Sequence, residues 1–398
     1  MLSVICVALA VQPDPKTQEE IEKLEERIEK RLQELDRKLE DVNKAAAKNA
    51  FNPQITVFGN FAMRSDSRRV LEDPADPTSM RLDDRAYFRG GEIDFRAAID
   101  PYADGVLIIA VEGTPDGEFE THLEEGYALL KRIPILEADG VKLKLGKFRP
   151  SFGVSNKLHL HDTPHVTRPL VIARYLGAEH GDFFEGGFAP MGAELNFFVP
   201  GLGDAITVDV FIDVLQAGGM ALTEDNSAEQ PALMAHVDVF CRFGPSTTLN
   251  VGVSHYSEEG DFSTNLTGVD VTFMWRPDAF QSVIVGGEIM RADREFDDMG
   301  TPTETEPTGW YAYVQVQLSA SIYVGARYDH VEDIFNDGLE TSIVGAYVSY
   351  YTSEFFRIRV GFERRTGDIP EDDDLDTVML EFNIVFGSHP SEPYWVNR

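Results

Sequence analysis

Apolar and polar side chains alternate along most of the chain between Gln54 and His389. Roughly sixteen segments, each about ten to fourteen residues long, show this period of two, which is the period of a half-buried β-strand. About ten residues, when tilted, are enough for a strand to cross the hydrocarbon of a bilayer. Short and long gaps also alternate between the segments, as in outer-membrane barrels. The pattern therefore predicts an all-β fold, a transmembrane antiparallel β-barrel of about sixteen strands.

The clearest segments are two-faced. In 205–215, five aliphatic residues face one way, whereas Thr207, Asp209 and Asp213 face the other. Large apolar faces recur on every segment, and the opposite faces carry many charges, so a closed barrel with a wet lumen and a lipid-facing outside fits better than a soluble sandwich. The predicted strands lie near 54–64, 88–100, 103–113, 118–131, 140–149, 187–199, 205–215, 232–243, 246–258, 264–276, 281–294, 308–319, 321–332, 340–352, 354–366 and 376–388.

The gaps sort onto two sides of this barrel. With the N-terminus taken as periplasmic, the short turns fall on the periplasmic side, and an even strand count returns both termini there. The long gaps then fall outside, at 65–87, 150–186, 216–231, 295–307, 333–339 and 367–375.

The first fifty residues precede the barrel pattern. Residues 1–10 are apolar and end in Ala8-Leu9-Ala10, a cleavage-like pattern that predicts the remnant of a signal peptide, with an apolar tail as the alternative. Residues 11–50 predict a periplasmic coiled-coil helix of about 50 Å, and 51–398 the barrel. The alternative is a lone amphipathic helix on the barrel mouth. The apolar stripe expected to drive oligomerisation is Ile21, Leu24, Ile28, Leu32, Leu35, Leu39 and Val42, followed by Ala46.

Composition narrows the possible functions. The chain has 35 Lys+Arg and 68 Asp+Glu, a net charge of -33, which argues against nucleic acid as a partner. Two cysteines in unrelated contexts, Cys6 and Cys241, leave no disulfide framework and no cysteine metal site. No G-x-S-x-G, H-E-x-x-H, P-loop or C-x-x-C motif occurs, so we expect no enzyme.

The longest gap, 150–186, is the third on the outer side, and long loops are usually functional. We expect it to fold inward and constrict the pore. Three interpretations of its basic residues remain open: a divalent-metal site at His159, His161 and His165, a locally basic constriction, or histidines that merely pack the loop against the wall. The candidate constriction residues are Lys157, His159, His161, His165, Arg168 and Arg174.

Alternation also predicts which charges face the lumen. Facing acidic and basic walls would set up a transverse field across the water, although lumen charges can also simply pair with one another. The candidate pore-lining residues are Glu92, Asp94, Arg96, Lys142, Lys144, Arg357, Arg359 and Arg365.

Several motifs together look familiar. They are Phe51-Asn-Pro-Gln-Ile-Thr-Val-Phe-Gly-Asn60, Glu92-Ile-Asp-Phe-Arg-Ala-Ala-Ile-Asp-Pro-Tyr-Ala103, Glu124-Glu-Gly-Tyr-Ala128, Leu143-Lys-Leu-Gly-Lys-Phe-Arg149 and Asn156-Lys-Leu-His-Leu-His161. The chain thereby resembles a family of bacterial outer-membrane porin-like proteins with an N-terminal coiled coil, related to the phosphate-selective porins; some members are described as zinc-regulated outer-membrane receptors. The resemblance implies a diffusion pore, often a trimer. The chain stops at Tyr394-Trp-Val-Asn-Arg398, so the last strand is expected to end near Phe386, with a short tail behind it.

The expected function is therefore an outer-membrane porin that lets small hydrophilic solutes or ions diffuse through a lumen narrowed by 150–186. Expected partners are outer-membrane lipid, two further copies joined through the coiled coil, and peptidoglycan or other envelope proteins. No cofactor is expected apart from a divalent metal at the histidines. The alternatives are a structural envelope tether, with the coiled coil as a periplasmic spacer, and a zinc-uptake protein.

Overall fold

The computed structural model describes residues 53–70, 82–113, 118–133, 140–177, 187–200, 202–223, 230–368, 374–388 and 393–397. The predicted signal-peptide remnant, 1–10, and coiled coil, 11–50, lie outside these residues. Within them, no helix has both the length and the apolar character needed to cross a membrane.

Seventeen β-strands make up most of the described structure. They are β1 (Gln54–Asp66), β2 (Ala86–Asp100), β3 (Ala103–Gly113), β4 (Phe119–Leu130), β5 (Val141–Lys147), β6 (Met191–Val199), β7 (Ile206–Leu215), β8 (Ala232–Phe243), β9 (Thr247–Glu259), β10 (Ser263–Asp278), β11 (Gln281–Asp298), β12 (Thr301–Thr305), β13 (Thr308–Ser319), β14 (Ile322–Glu332), β15 (Glu340–Ser353), β16 (Phe356–Gly367) and β17 (Leu375–Gly387). The remaining elements are short helical turns at Leu160–Asp162, Ile172–Leu176 and Ala221–Thr223.

The sheet closes on itself. Each strand pairs antiparallel with its neighbours, and β1 pairs with both β2 and β17. β12 pairs only with the last residues of β11, from Arg294 to Asp298, so sixteen strands form the barrel. The predicted strand number is confirmed. β12 was not predicted; it folds back at Met299 and Gly300, whose φ values of 51° and 92° suit a two-residue hairpin turn.

The barrel wall is apolar outside and polar inside. On β10, Val269, Val271, Phe273 and Trp275 are 38–45% exposed. The intervening residues, such as Asp270, are buried. Such a distribution is that of a barrel in lipid, where outward apolar residues alternate with inward polar ones.

Two bulges break the alternation in β2 and β4. The register between β1 and β2 shifts at Asn60/Phe61, where Arg89 is the additional residue on β2. The register between β3 and β4 shifts at Ile108/Ile109, so that Glu124 and Glu125 are both buried, at 7% and 8% exposed. A bulge places one extra residue against its partner strand and re-aims the side chains around it.

The chain between β5 and β6 packs within the barrel. We call residues 148–177 the inner loop; of the rest of this connection, 187–190 are also described. The apolar side chains of the inner loop form one buried core with inward residues of the wall and with the end of the chain; the loop members are Phe148, Phe152, Leu170, Val171, Ile172, Tyr175 and Leu176, and the wall members include Tyr256, Leu266, Ile284, Met290, Tyr311, Tyr313 and Tyr323.

The C-terminal tail, 393–397, belongs to the same core. β17 ends at Gly387, which confirms the predicted end of the last strand. Trp395 is fully buried, and its indole Nε1 donates to the Asp162 carbonyl of the inner loop at 2.6 Å. The Tyr394 hydroxyl lies 2.6 Å from that of Tyr313 on the wall. The tail therefore packs both on the barrel wall and on the inner loop.

Candidate functional site

Arginines of the barrel wall hold the inner loop by its backbone. Four guanidinium groups donate to loop carbonyls: Arg357 to His161 (3.0 Å), Arg359 to Thr163 (2.8 Å) and to His165, Arg89 to Val166 (2.7 Å), and Arg327 to Thr167 (2.6 Å). Hydrogen bonds from a charged donor are roughly twice as strong as neutral ones. The loop is thus fixed against β2, β14 and β16 at once.

One carboxylate pairs with three of these arginines. Glu381 on β17 lies 2.7 Å from Arg357, 3.4 Å from Arg89 and 3.5 Å from Arg359. All four side chains are at most 3% exposed. A buried charge is tolerated only when paired and hydrogen-bonded, so Glu381 is the counter-charge on which this anchor depends.

A second anchor surrounds His159. Its Nδ1 lies 3.0 Å from Glu92 and its Nε2 lies 2.9 Å from Glu125. Burial by itself lowers the pKa of His159, but the Glu92 and Glu125 carboxylates outweigh it and raise the pKa to about 10. His159 is therefore an imidazolium that bridges two strands. His161 shares Glu92 at 3.3 Å and stacks on Phe58, with ring centroids 3.9 Å apart.

His165 lies in different surroundings. Its ring packs edge-on to Tyr313 and Tyr347, with centroids 4.9 and 5.7 Å apart. Burial and the nearby Arg327 and Arg359 hold its pKa well below the usual range of histidine. The three histidines proposed as a metal site thus belong to two separate clusters, because their spacing along a folded loop does not bring their nitrogens together.

Within the described residues, one group of three side chains has converging atoms that could ligate a metal ion. It consists of Glu112 on β3 and His122 and Glu124 on β4, with the His122 Nε2 at 3.3 Å from Glu112 and 3.2 Å from Glu124. Glu124 also pairs with Arg149 of the inner loop. The same three side chains, together with Arg149, form a network of ion pairs that extends the anchor around His159.

Of the remaining predicted constriction residues, two are hydrogen-bonded within the barrel and one is exposed. Arg168 is buried and donates to the Leu158 carbonyl of its own loop at 3.3 Å, and burial lowers its pKa to about 9. Arg174 donates to the Thr341 hydroxyl at 3.0 Å. Lys157, in contrast, is exposed, with its Nζ 6.0 Å from the centre of the Phe211 ring. Of the six, Lys157 is the residue that faces open space.

The open space near Lys157 adjoins a cavity that is also lined by Phe211. A cavity of about 320 Å³ is lined by Leu129, Lys142, Lys144, Glu194, Asn196, Asp209 and Phe211, from β4 to β7. Lys144 pairs with Glu194 at 2.9 Å, and Asn196 donates to Asp209 at 3.3 Å. The inner loop and the tail pack on apolar wall residues from β7 to β15, and β2, β4, β14 and β16 also hold the loop. The charged cavity lies beside them, at β4 to β7.

The predicted pore-lining residues fall into three groups. Lys142 and Lys144 line the cavity. Arg96 is half exposed and pairs with Asp94 at 2.8 Å, and Arg365 is partly buried on β16. Glu92, Arg357 and Arg359 instead lie beneath the inner loop and anchor it.

Sequence reasoning missed several anchoring residues. Arg89 and the Glu124–Glu125 pair lie at the two bulges, where strict alternation assigns the wrong face. Two adjacent acids within a strand, and Gly90-Gly91 directly after Arg89, are the local signals of these irregularities.

The architecture is that of the sixteen-stranded outer-membrane porins. The outer-membrane channel DcaP of Acinetobacter baumannii has a TM-score of 0.55 at 12% identity, over 84% of this chain and 97% of that chain. Salmonella typhi OmpF in complex with daunomycin gives 0.55 at 11%, over 84% and 98%. The anion-selective porin of Comamonas acidovorans gives 0.54 at 9%, over 84% and 100%. These likenesses establish the fold.

Sequence comparison adds little. An uncharacterized protein of Aquifex aeolicus is 24% identical over 352 residues, which cover 76% of this chain and 69% of that protein. No protein-family model matches the chain.

Proposed function

We propose that the protein is an outer-membrane porin through which small hydrophilic solutes or ions diffuse passively. The observation that carries the proposal is the division of the lumen. An anchored inner loop fills part of the lumen, and a cavity lined by Lys142, Lys144, Glu194 and Asp209 remains beside it. A polar, water-filled lumen inside an apolar exterior is the arrangement of a diffusion channel.

The inner loop acts as the constriction in this proposal. Lys157 faces the passage, whereas His159, His161, His165 and Arg168 hold the loop in place. These histidines have partners in the barrel wall, because carboxylates pair with His159 and His161 and tyrosine rings pack on His165.

The proposed trimeric assembly rests on the sequence. The coiled coil at 11–50 would join three barrels and project into the periplasm, within reach of peptidoglycan or other envelope proteins. The apolar band of the barrel would contact outer-membrane lipid.

A second candidate is a structural tether in which the barrel anchors and the coiled coil spans the periplasm with little flux. One observation favours it. Trp395 is fully buried and joins a core of the inner loop and the wall, which fills part of the lumen.

Single-channel recording of the purified full-length protein in a planar bilayer separates the two candidates. Conductance steps in groups of three support a trimeric pore, and absence of conductance from folded protein supports the tether. Deleting residues 159–174 should raise the conductance of a pore narrowed by the inner loop. Unchanged conductance would contradict the assigned constriction.

A further inference from the structure

A row of carboxylates crosses the wall opposite Lys157. Asp209 on β7 pairs in register with Asp238 on β8, and Asp238 pairs with Gly252 on β9. Gly252 pairs with Asp270 on β10, and Asp270 pairs with Glu288 on β11. Residues paired in register share a face of the sheet. We call Asp209, Asp238 and Asp270 the acidic row.

Like charges directly opposite each other on neighbouring strands destabilise a sheet. The acidic row therefore requires positive charge nearby. Lys157 supplies part of this charge, since its ammonium interacts electrostatically with both Asp238 and Asp270.

The inner loop is built to hold Lys157 there. The backbone N–H of Gly153 donates to the Ser254 hydroxyl at 3.0 Å, and that of Ser155 donates to Glu288 at 2.7 Å. Both partners lie on the wall beside the acidic row. Lys157 follows two residues later and is exposed, so its ammonium is a tethered cation at the edge of the passage.

Lys157 alone does not satisfy the carboxylate of Asp270. It is 1% exposed, and neither carboxylate oxygen has a hydrogen-bond partner within the described part of the chain. Its side chain lies over Gly252, where a Cβ would come within 2.1 Å of its Oδ2. A buried carboxylate left in this state is unfavourable unless a further cation or a proton satisfies it.

Charge on this side of the lumen is negative overall. Asn250 donates to Asp238 at 2.7 Å, which holds that carboxylate beside His236, whose Nε2 is 4.0 Å away. Glu194 and Asp213 pair in register on the neighbouring strands β6 and β7. Neighbouring buried acids share a proton, so Glu194 and Asp213 together carry about one negative charge. Along this stretch of the described wall, that charge and those of Asp209, Asp238 and Asp270 still outnumber the lysines Lys142, Lys144 and Lys157.

We propose that the passage between Lys157 and the acidic row selects small cations, so that the solutes carried are hydrated metal ions and small organic amines rather than anions. This inference rests on the proposed porin function. Rings of Asp and Glu favour cations because their field stabilises positive charge in the pore and repels negative charge. The field acts on passing ions without binding them tightly.

The test is the reversal potential of the purified full-length protein in a planar bilayer with a KCl gradient. Wild type should pass K⁺ in preference to Cl⁻. Removing one carboxylate about 6 Å from the ion path, in water-like dielectric, should disfavour K⁺ by about threefold and favour Cl⁻ by about threefold, and so lower the preference for K⁺ over Cl⁻ by about tenfold. The double variant Asp209→Asn/Asp238→Asn should therefore lose most of the selectivity, whereas Lys157→Gln should increase it.

The matched control is Asp293→Asn, which removes an exposed acid from β11 on the other side of the wall. It should leave the reversal potential unchanged. Conductance with a preference for Cl⁻, or a K⁺ preference that none of the lumen variants alters, overturns the inference but leaves the pore intact. Absence of conductance in wild type overturns the porin function itself.

Discussion

Replacing Glu381 by Gln tests the buried anchor of the inner loop. The substitution keeps the shape of the side chain but removes its charge. In the wild type, the Glu381 carboxylate lies 2.7, 3.4 and 3.5 Å from Arg357, Arg89 and Arg359. In the variant, the three arginines face a neutral amide. All are buried, so water cannot replace the lost carboxylate.

The expected loss is large. Removing one partner of a buried ion pair typically destabilises a protein by about 3–5 kcal/mol, and here one carboxylate serves three guanidinium groups. We expect the free energy of unfolding to fall by at least the lower end of this range. The same arginines donate to the carbonyls of His161, Thr163 and His165, so the loop should loosen and conductance should rise.

Denaturant unfolding in detergent, followed by tryptophan fluorescence, measures the effect. Trp395 is a suitable reporter, because its ring lies 5.7 Å from the guanidinium carbon of Arg357. The control is Glu306→Gln, which breaks the Arg291–Glu306 pair on the surface, where both side chains are more than 60% exposed. That change should be worth less than about 1 kcal/mol. Equal unfolding free energies for the two variants would refute the anchor.

Three further predictions concern the inner loop and the tail. The folded-state pKa of His159 is raised to about 10 from an unfolded value near 6.5, so its stabilisation is complete below pH ~6.5 and is lost as the pH rises through about 10. His159→Gln should remove this alkaline loss, up to about 5 kcal/mol, from pH-dependent unfolding curves; an unaltered alkaline limb would contradict it. Gly153→Ala should destabilise the protein more than Gly338→Ala. Both glycines have positive φ, but only at Gly153 would a Cβ collide with a side chain, 1.9 Å from Glu288. Gly338→Ala measures the backbone strain alone, about 1 kcal/mol, and equal losses of stability in thermal unfolding would exclude the collision. Trp395→Ala should release the tail and raise single-channel conductance, and an unchanged conductance would show that the tail lies outside the ion path.

Alternation of side chains was enough to predict the strands, because period two is imposed locally by lipid on one side and water on the other. The sixteen barrel strands agree with the predicted segments to within a few residues at most ends. Alternation also predicted that Arg357 and Arg359 face inward. It failed at Arg89 and at the Glu124–Glu125 pair, because a bulge is a local change of register that a strict two-residue period does not contain.

The arrangement of the lumen was harder to predict. The functions assigned to Lys157 and His159 differ because Glu92 on β2 and Glu125 on β4 meet at His159. Such a meeting depends on strand register and on the path of the inner loop along the wall. The acidic row arises in the same way, since Asp209, Asp238 and Asp270 become neighbours only through strand register.

The anchoring arginines hold the inner loop mainly through carbonyl oxygens between His161 and Thr167, and Arg327 also donates to the Thr167 hydroxyl. Every amino acid supplies a carbonyl, so most substitutions within 161–167 leave these attachment points in place. Residues such as Lys157 are therefore free to diverge in charge and size while the segment keeps its position. A barrel built in this way can acquire a new permeant solute through a few point mutations, without rebuilding its frame.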